Sequence, residues 1–142
     1  MLAQAGNRVE AQADPSAHAE LLALREAARR LGGKHLAGCT LHVTLEPCAM
    51  CAAAASQFRV ARVSFGAYDP KSGGVKHGAR VFAHPQCHHV PEVVGGVREA
   101  EAAELLRSFF AGDGGSLDEH GGRDAGRGRA AARFGGGGPP RP

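Results

Sequence analysis

Pro47-Cys48-Ala49-Met50-Cys51 carries the strongest chemical signal in this 142-residue sequence. From the chain's own composition, P-C-x-x-C is expected by chance about 0.006 times, and the H-x-E of His18-Ala19-Glu20 about 0.5 times. The cysteine pair therefore leads, and the histidine and glutamate gain meaning only beside it. Cys48 and Cys51 lie three apart at the start of an Ala-rich predicted helix, so both sulfurs can reach one ion. A helix N-terminus also favours the thiolate form that binds metal. His18 supplies a neutral third ligand from the start of the preceding helix. Three protein ligands on Zn²⁺ leave the fourth position to water, as a catalytic site needs and a structural site does not. Glu20 is then the general acid/base that takes a proton from that water and returns it to the substrate. An ideal helix points residues i and i+2 to nearly opposite sides, so His18 and Glu20 can meet only at a helix end.

The elements that must hold these residues can be read in outline. Asp14-Pro15-Ser16 is a helix entry, and Leu21, Leu24, Ala28 and Leu31 form one face of a helix that ends at Gly32-Gly33. The alternating, β-branched run from Cys39 to Leu45 predicts a strand, broken by Glu46-Pro47. Cys48 to about Gln57 is a short, tightly packed helix, and Val60 to Ala67 a second strand. Tyr68 to Pro91, rich in Pro, Gly and His, reads as a long loop of the functional kind. Glu92 to Val94 is a short strand, and Arg98 to Phe110 an amphipathic closing helix. Helices alternating with strands give an α/β class, with helices packed on a sheet. The rest, 111–142, holds 11 of the 21 glycines and no apolar periodicity, and is expected to be disordered. Acidic residues at 113, 118, 119 and 124 nearly offset its arginines.

Composition sets loose bounds. The length fits one domain, and 43% hydrophobic residues suffice for a core even with 5% aromatics and no Trp. A net charge of +3 permits a nucleic-acid partner without arguing for one. No signal peptide is visible from Met1 to Pro15, and no apolar run is long enough to span a membrane. The four cysteines then read as reduced thiols in a cytoplasmic protein, where a close pair suggests metal or catalysis.

H-A-E followed by L-E-P-C-A-M-C resembles the zinc nucleobase deaminases. G-N-R, D-P-S-A-H-A-E-L-L-A-L-R, R-V-S-F-G-A-Y-D-P-K-S-G and L-L-R-S-F-F are similar to the bacterial-type tRNA adenosine deaminases, in one colinear run from Asn7 to Phe110. The resemblance implies a cytidine deaminase-like fold of three layers, a central mixed sheet flanked by helices, over residues 1–110. It implies one zinc per chain, held by His18, Cys48 and Cys51, with Glu20 catalytic. Asn7 resembles the asparagine that holds the target base, the Ala19 backbone lies against the base edge, and Leu45 lines the pocket. Asp69 and Lys71 match positions near the RNA strand. The reaction implied is adenosine to inosine at the wobble position of a tRNA anticodon, by a homodimer. A loop substrate suits such chemistry because its bases are already unstacked.

The chain departs from the family at the front, where a helix and a β-hairpin precede the Gly-Asn segment, so the first helix and first strand are expected to be missing. The strand Cys39–Leu45 would then have an unpaired edge. Other readings stand beside these. Taken alone, His18 is a surface histidine, Glu20 a helix-start charge, and Cys48 and Cys51 half of a structural zinc site. His84, Cys87, His88 and His89 lack the paired spacing of a second metal site, and read as loop packing or RNA contact. The rival functions are deamination of guanine, cytosine or a nucleoside, and a catalytically impaired zinc-binding fragment.

Overall fold

The computed structural model describes residues 2–98 and, for the backbone, 132–136. In chain order these form β1 (Gln4–Ala5), α1 (Val9–Gln12), α2 (Ala19–Leu31), β2 (Cys39–Leu45), α3 (Ala49–Gln57), β3 (Arg62–Ala67), a 3-10 turn (Val81–Ala83), β4 (Glu92–Val94) and β5 (Ala132–Gly136). The strands build one mixed sheet in the order β1-β5-β2-β3-β4. β2, β3 and β4 run parallel, and β5 is antiparallel to both β1 and β2.

The β2-α3-β3 crossover is the frame of the site. β2 alternates as expected: Cys39, Leu41 and Val43 are buried and His42 is exposed. β3 has neighbours on both sides, and every residue from Val63 to Ala67 is buried, as in an inner strand of a parallel sheet. α2 and α3 pack together with small residues, Ala23 and Ala27 on one and Ala52 and Ala55 on the other, all in the main core cluster. Scarce aromatics are compensated by this close approach, with Phe65 and Leu24 the largest fully buried side chains.

One boundary and one helix face differ from the sequence reading. Asp14 does not open the long helix. Its Oδ1 accepts hydrogen bonds from the Ser16 N–H (2.9 Å) and hydroxyl (2.7 Å), closing a local turn, and α2 starts only after His18. Leu21 and Leu24 are buried as expected, but the inward face is rotated: Glu20, Ala23 and Ala27 join them, while Ala28 and Leu31 lie at the rim. The C-terminus is as expected, with Gly32 in the left-handed conformation (φ 70°) and its N–H returned to Ala28 and Arg29.

The larger correction concerns the flank of β2. Its edge is not unpaired, and the tail is not featureless throughout. Cys39, Thr40, Leu41 and His42 stand opposite Gly136, Gly135, Phe134 and Arg133. A row of N–H and C=O groups beside a buried sheet demands a partner, and backbone pairing needs no apolar periodicity in the segment that supplies it. The remaining tail and the expected closing helix, beyond Arg98, lie outside the described residues.

Candidate active site

Two helix N-termini converge on one point. His18 caps α2 in an extended conformation (φ −71°, ψ 149°), and Cys48 caps α3 in the same way (φ −69°, ψ 172°). Each carbonyl starts its helix, accepting from Leu22 N at 3.0 Å and Ala52 N at 2.9 Å. The extended caps resolve the geometric problem posed by H-x-E. His18 stands outside the helix while Glu20, in the first turn, points inward and is only 7% exposed.

His18 Nδ1 lies 3.5 Å from Cys48 Sγ and 3.6 Å from Cys51 Sγ, and all three atoms fall within 4.8 Å of one another. Tetrahedral zinc with ordinary Zn–N and Zn–S lengths sets a nitrogen and a sulfur ligand about 3.5 Å apart. The triangle therefore fits zinc. Among the described residues no other group of three such ligands comes together, so His84, Cys87, His88 and His89 form no second centre. His89 instead bonds the Val60 carbonyl through Nε2 (2.7 Å), and Cys87 donates to the His89 carbonyl (3.2 Å).

Electrostatics suit the same chemistry. A hydrogen bond from the Cys51 thiol holds Cys48 well below the usual thiol range, despite burial, with His18 contributing in the same direction. Burial raises the Glu20 carboxyl above its ordinary value, and the nearby Cys48 adds to the rise, while its own backbone N–H and Cys51 oppose it. A carboxyl raised in this way holds a proton more readily than an exposed one, as a group that must also act as an acid requires. Glu20 Oε2 accepts from Cys51 Sγ at 3.4 Å and lies outside the ligand triangle.

Asn7, Ala19, Glu20 and Leu45 line one cleft with His18 and Cys48. Asn7 Oδ1 is used locally, accepting from Val9 N at 2.9 Å, but its buried Nδ2 has no partner. A buried amide N–H without an acceptor is costly, and here it faces a cleft in which a ligand can supply one. Asp69 and Lys71 do not line this cleft. Asp69 Oδ1 accepts from the Lys71 N–H (3.2 Å) and the Ser72 N–H (2.9 Å), closing a turn on the adjoining loop.

One acid was missed. The Glu46 side chain is fully buried, and its carboxylate receives N–H groups of Asp69, Val75, Lys76 and His77, plus the His77 ring at 2.8 Å. Burial alone would raise its pKa, but these hydrogen bonds outweigh it and hold it below its ordinary value. The readable signal was Gly73-Gly74 in the facing loop: a Cβ on Gly73 would strike Glu46 Oε2, and one on Gly74 would strike the Ala49 backbone.

A family model for the cytidine and deoxycytidylate deaminase zinc-binding region matches residues 1–67, which include all three ligands. A tRNA-specific adenosine deaminase of Agrobacterium fabrum is 50% identical over 110 residues, 78% of this chain and 72% of that protein. The chain belongs to the tRNA-specific adenosine deaminase family. The family fold, a cytidine deaminase-like α/β sheet flanked by helices, is also that of a solved structure from work on A-to-I editing by tRNA:A34 deaminases at the wobble position of transfer RNA. That structure superposes with a TM-score of 0.71 at 49% identity, over 73% of this chain and 75% of that one. A guanine deaminase from Nitrosomonas europaea shares the fold at 24% identity and a TM-score of 0.57, over 75% of this chain and 70% of its own.

The triangle has a direct consequence in metal content. Folded protein is expected to carry about one zinc per chain, and Cys48→Ser, which removes one corner, should lower that stoichiometry at least about tenfold under competition with a chelator. Elemental analysis of the purified protein checks it. A zinc content that does not respond to Cys48→Ser rules out this ligand set.

Proposed function

We propose that this chain is a zinc-dependent hydrolase that converts adenosine to inosine at the wobble position of a tRNA anticodon. The observation that carries the reading is a single cleft lined by His18 and Cys48 of the ligand triangle, with Cys51 buried behind them, together with the Glu20 carboxyl and Asn7, whose Nδ2 is unpartnered. Zinc, when bound, supplies Lewis acidity that makes water nucleophilic near neutral pH. Glu20 accepts a proton from the attacking water and delivers it to the purine ring nitrogen as the C6–O bond forms. It then carries the remaining hydroxyl proton to the C6 amino group, the C6–N bond breaks as the C6 carbonyl forms, and ammonia leaves. Asn7 Nδ2 donates to an acceptor on the base, and the Leu45 side chain forms the apolar wall of the cleft. Asp69 and Lys71, on the loop beside the cleft, meet the RNA strand.

The deaminase unit in this reading is residues 1–110, acting in the cytoplasm as a homodimer. The sequence resemblance supports these points. No helix among the described residues is long and apolar enough to cross a membrane.

The test uses the full chain, loaded with zinc, and an anticodon stem-loop RNA whose nucleosides are analysed by mass spectrometry after digestion. Inosine is expected in the loop, with little product from free cytidine, free guanine or duplex RNA. Faster turnover of free guanine than of the stem-loop would transfer the chain to the rival substrate.

A further inference from the structure

We propose that Glu46 is a positioning residue, whose buried carboxylate fixes the 69–77 loop to the zinc-ligand turn and so sets the loop's RNA-facing side relative to the reacting base. This rests on the reading above that Asp69 and Lys71 face RNA. The geometry itself does not.

Glu46 directly follows β2 and stands two residues before Cys48. Its own N–H donates to the Ala67 carbonyl at 2.8 Å, locking it to the end of β3. Oε1 accepts from Asp69 N (3.1 Å) and bonds His77 Nδ1 (2.8 Å). Oε2 accepts from Val75 N (3.1 Å), Lys76 N (3.0 Å) and His77 N (3.2 Å). One carboxylate thus takes both ends of the loop, and every lone pair is committed. Pro47 continues the link, its carbonyl accepting from Gly74 N at 2.8 Å. The loop cannot shift without either breaking these bonds or moving the segment that carries Cys48. The His77 ring is braced edge-on by Tyr68 (centroids 6.1 Å), which meets Phe65 in the same way (5.2 Å). The loop is therefore an extension of the rigid sheet, although it contains almost no regular secondary structure.

The two oxygens serve different partners, so the conservative variant is diagnostic. In Glu46→Gln the amide oxygen can keep the three donors at positions 75–77, while the amide nitrogen then faces the Asp69 N–H and cannot accept from it. Among the backbone amides only Asp69 should be released; the His77 ring, on the same side of the carboxylate, keeps a partner only as the tautomer that accepts from the amide. A fold-stabilising role alone would loosen the region without this asymmetry.

The experiment compares zinc-loaded wild type and Glu46→Gln by amide exchange and by steady-state kinetics on the anticodon stem-loop. Asp69 should lose about tenfold or more in protection while Val75, Lys76 and His77 stay within about threefold. Zinc content should be unchanged. KM for the stem-loop should rise about tenfold with kcat within about threefold, the pattern of lost substrate positioning. Glu46→Ala should release both ends, and if it does not fold, the glutamine variant carries the test alone. Equal protection at all four amides in wild type and Glu46→Gln overturns the positioning role, as does a fall in kcat at constant KM. Absence of inosine with the unmutated protein overturns the substrate reading, and the exchange asymmetry then judges the loop anchor separately.

Discussion

Glu20→Ala should retain its zinc and lose about a hundredfold or more in deamination rate, the usual scale for removing a general acid/base. Both halves follow from where Glu20 sits. The carboxylate is outside the His18-Cys48-Cys51 triangle, so the metal keeps its three protein ligands. Yet it lies against that triangle, 3.4 Å from Cys51 Sγ, in the cleft where the base must enter. No other carboxylate lining that cleft is free to exchange protons, because Glu46 is committed to the loop. Glu20→Gln sharpens the test. It preserves shape and hydrogen bonding but cannot carry the proton, so it should be as inactive as alanine. A hundredfold corresponds to about 2.7 kcal/mol of transition-state stabilisation. Stability should not follow activity downward, because a buried carboxylate is a cost that an amide avoids. Zinc analysis, inosine formation and thermal melting on the same preparations decide it. Loss of zinc from either variant would put Glu20 in the ligand set and end its assignment as the proton carrier.

Deleting residues 132–142 should lower the melting temperature by on the order of 10 °C or more and promote self-association. β5 is an inner strand: Arg133 stands opposite Gln4 on one side and His42 on the other. Its removal leaves Cys39–His42 without a neighbour on the side away from β3 and strips β1 of the strand that holds it in the sheet. Each lost backbone hydrogen bond is worth about 1 kcal/mol net, and a buried group left unpaired costs more. Several such losses are a large share of a domain's roughly 5–15 kcal/mol. The exposed edge of β2 would then template pairing between chains. Arg133→Pro in the full chain is the matched control, since proline cannot occupy an inner strand. Sedimentation velocity and melting measure both effects. An unchanged melting temperature and a monodisperse truncated protein would show that the segment contributes nothing to the sheet.

The parts legible in the sequence were those whose signal is local. β2 was bounded correctly from Cys39 to Leu45 because its alternation and the following Glu-Pro are both contiguous. The metal turn was legible because P-C-x-x-C places its ligands within one helical turn. β5 was not, because Ala-Arg-Phe-Gly-Gly has no strand pattern, and only the vacancy beside β2 makes it one. Asp14 misled because the same polar side chain that caps a helix can equally close a turn. Glu46 was hidden for a different reason. All but one of its partners, the His77 ring, are backbone N–H groups 23 to 31 positions away, and the glycine pair that admits it says nothing of which acid it faces.

The strand order has a consequence for how the molecule assembles. β2, α3 and β3 follow one another directly as a parallel β-α-β crossover, and α2 with His18 and Glu20 comes immediately before. All zinc ligands therefore belong to one contiguous stretch with short loop closures. The pairing of Leu41 with Phe134 is the opposite case, joining segments separated by most of the sequence. Its chain-entropy cost must be met before any bond of that ladder forms, and such contacts form slowly. Folding should thus proceed in two stages, a fast metal-competent nucleus and a slow sealing of the sheet. During the interval the nucleus displays a bare strand edge, and at high protein concentration another molecule's β2 competes with β5 for it. Yield of native protein should therefore fall as refolding concentration rises, even where the zinc centre has already formed.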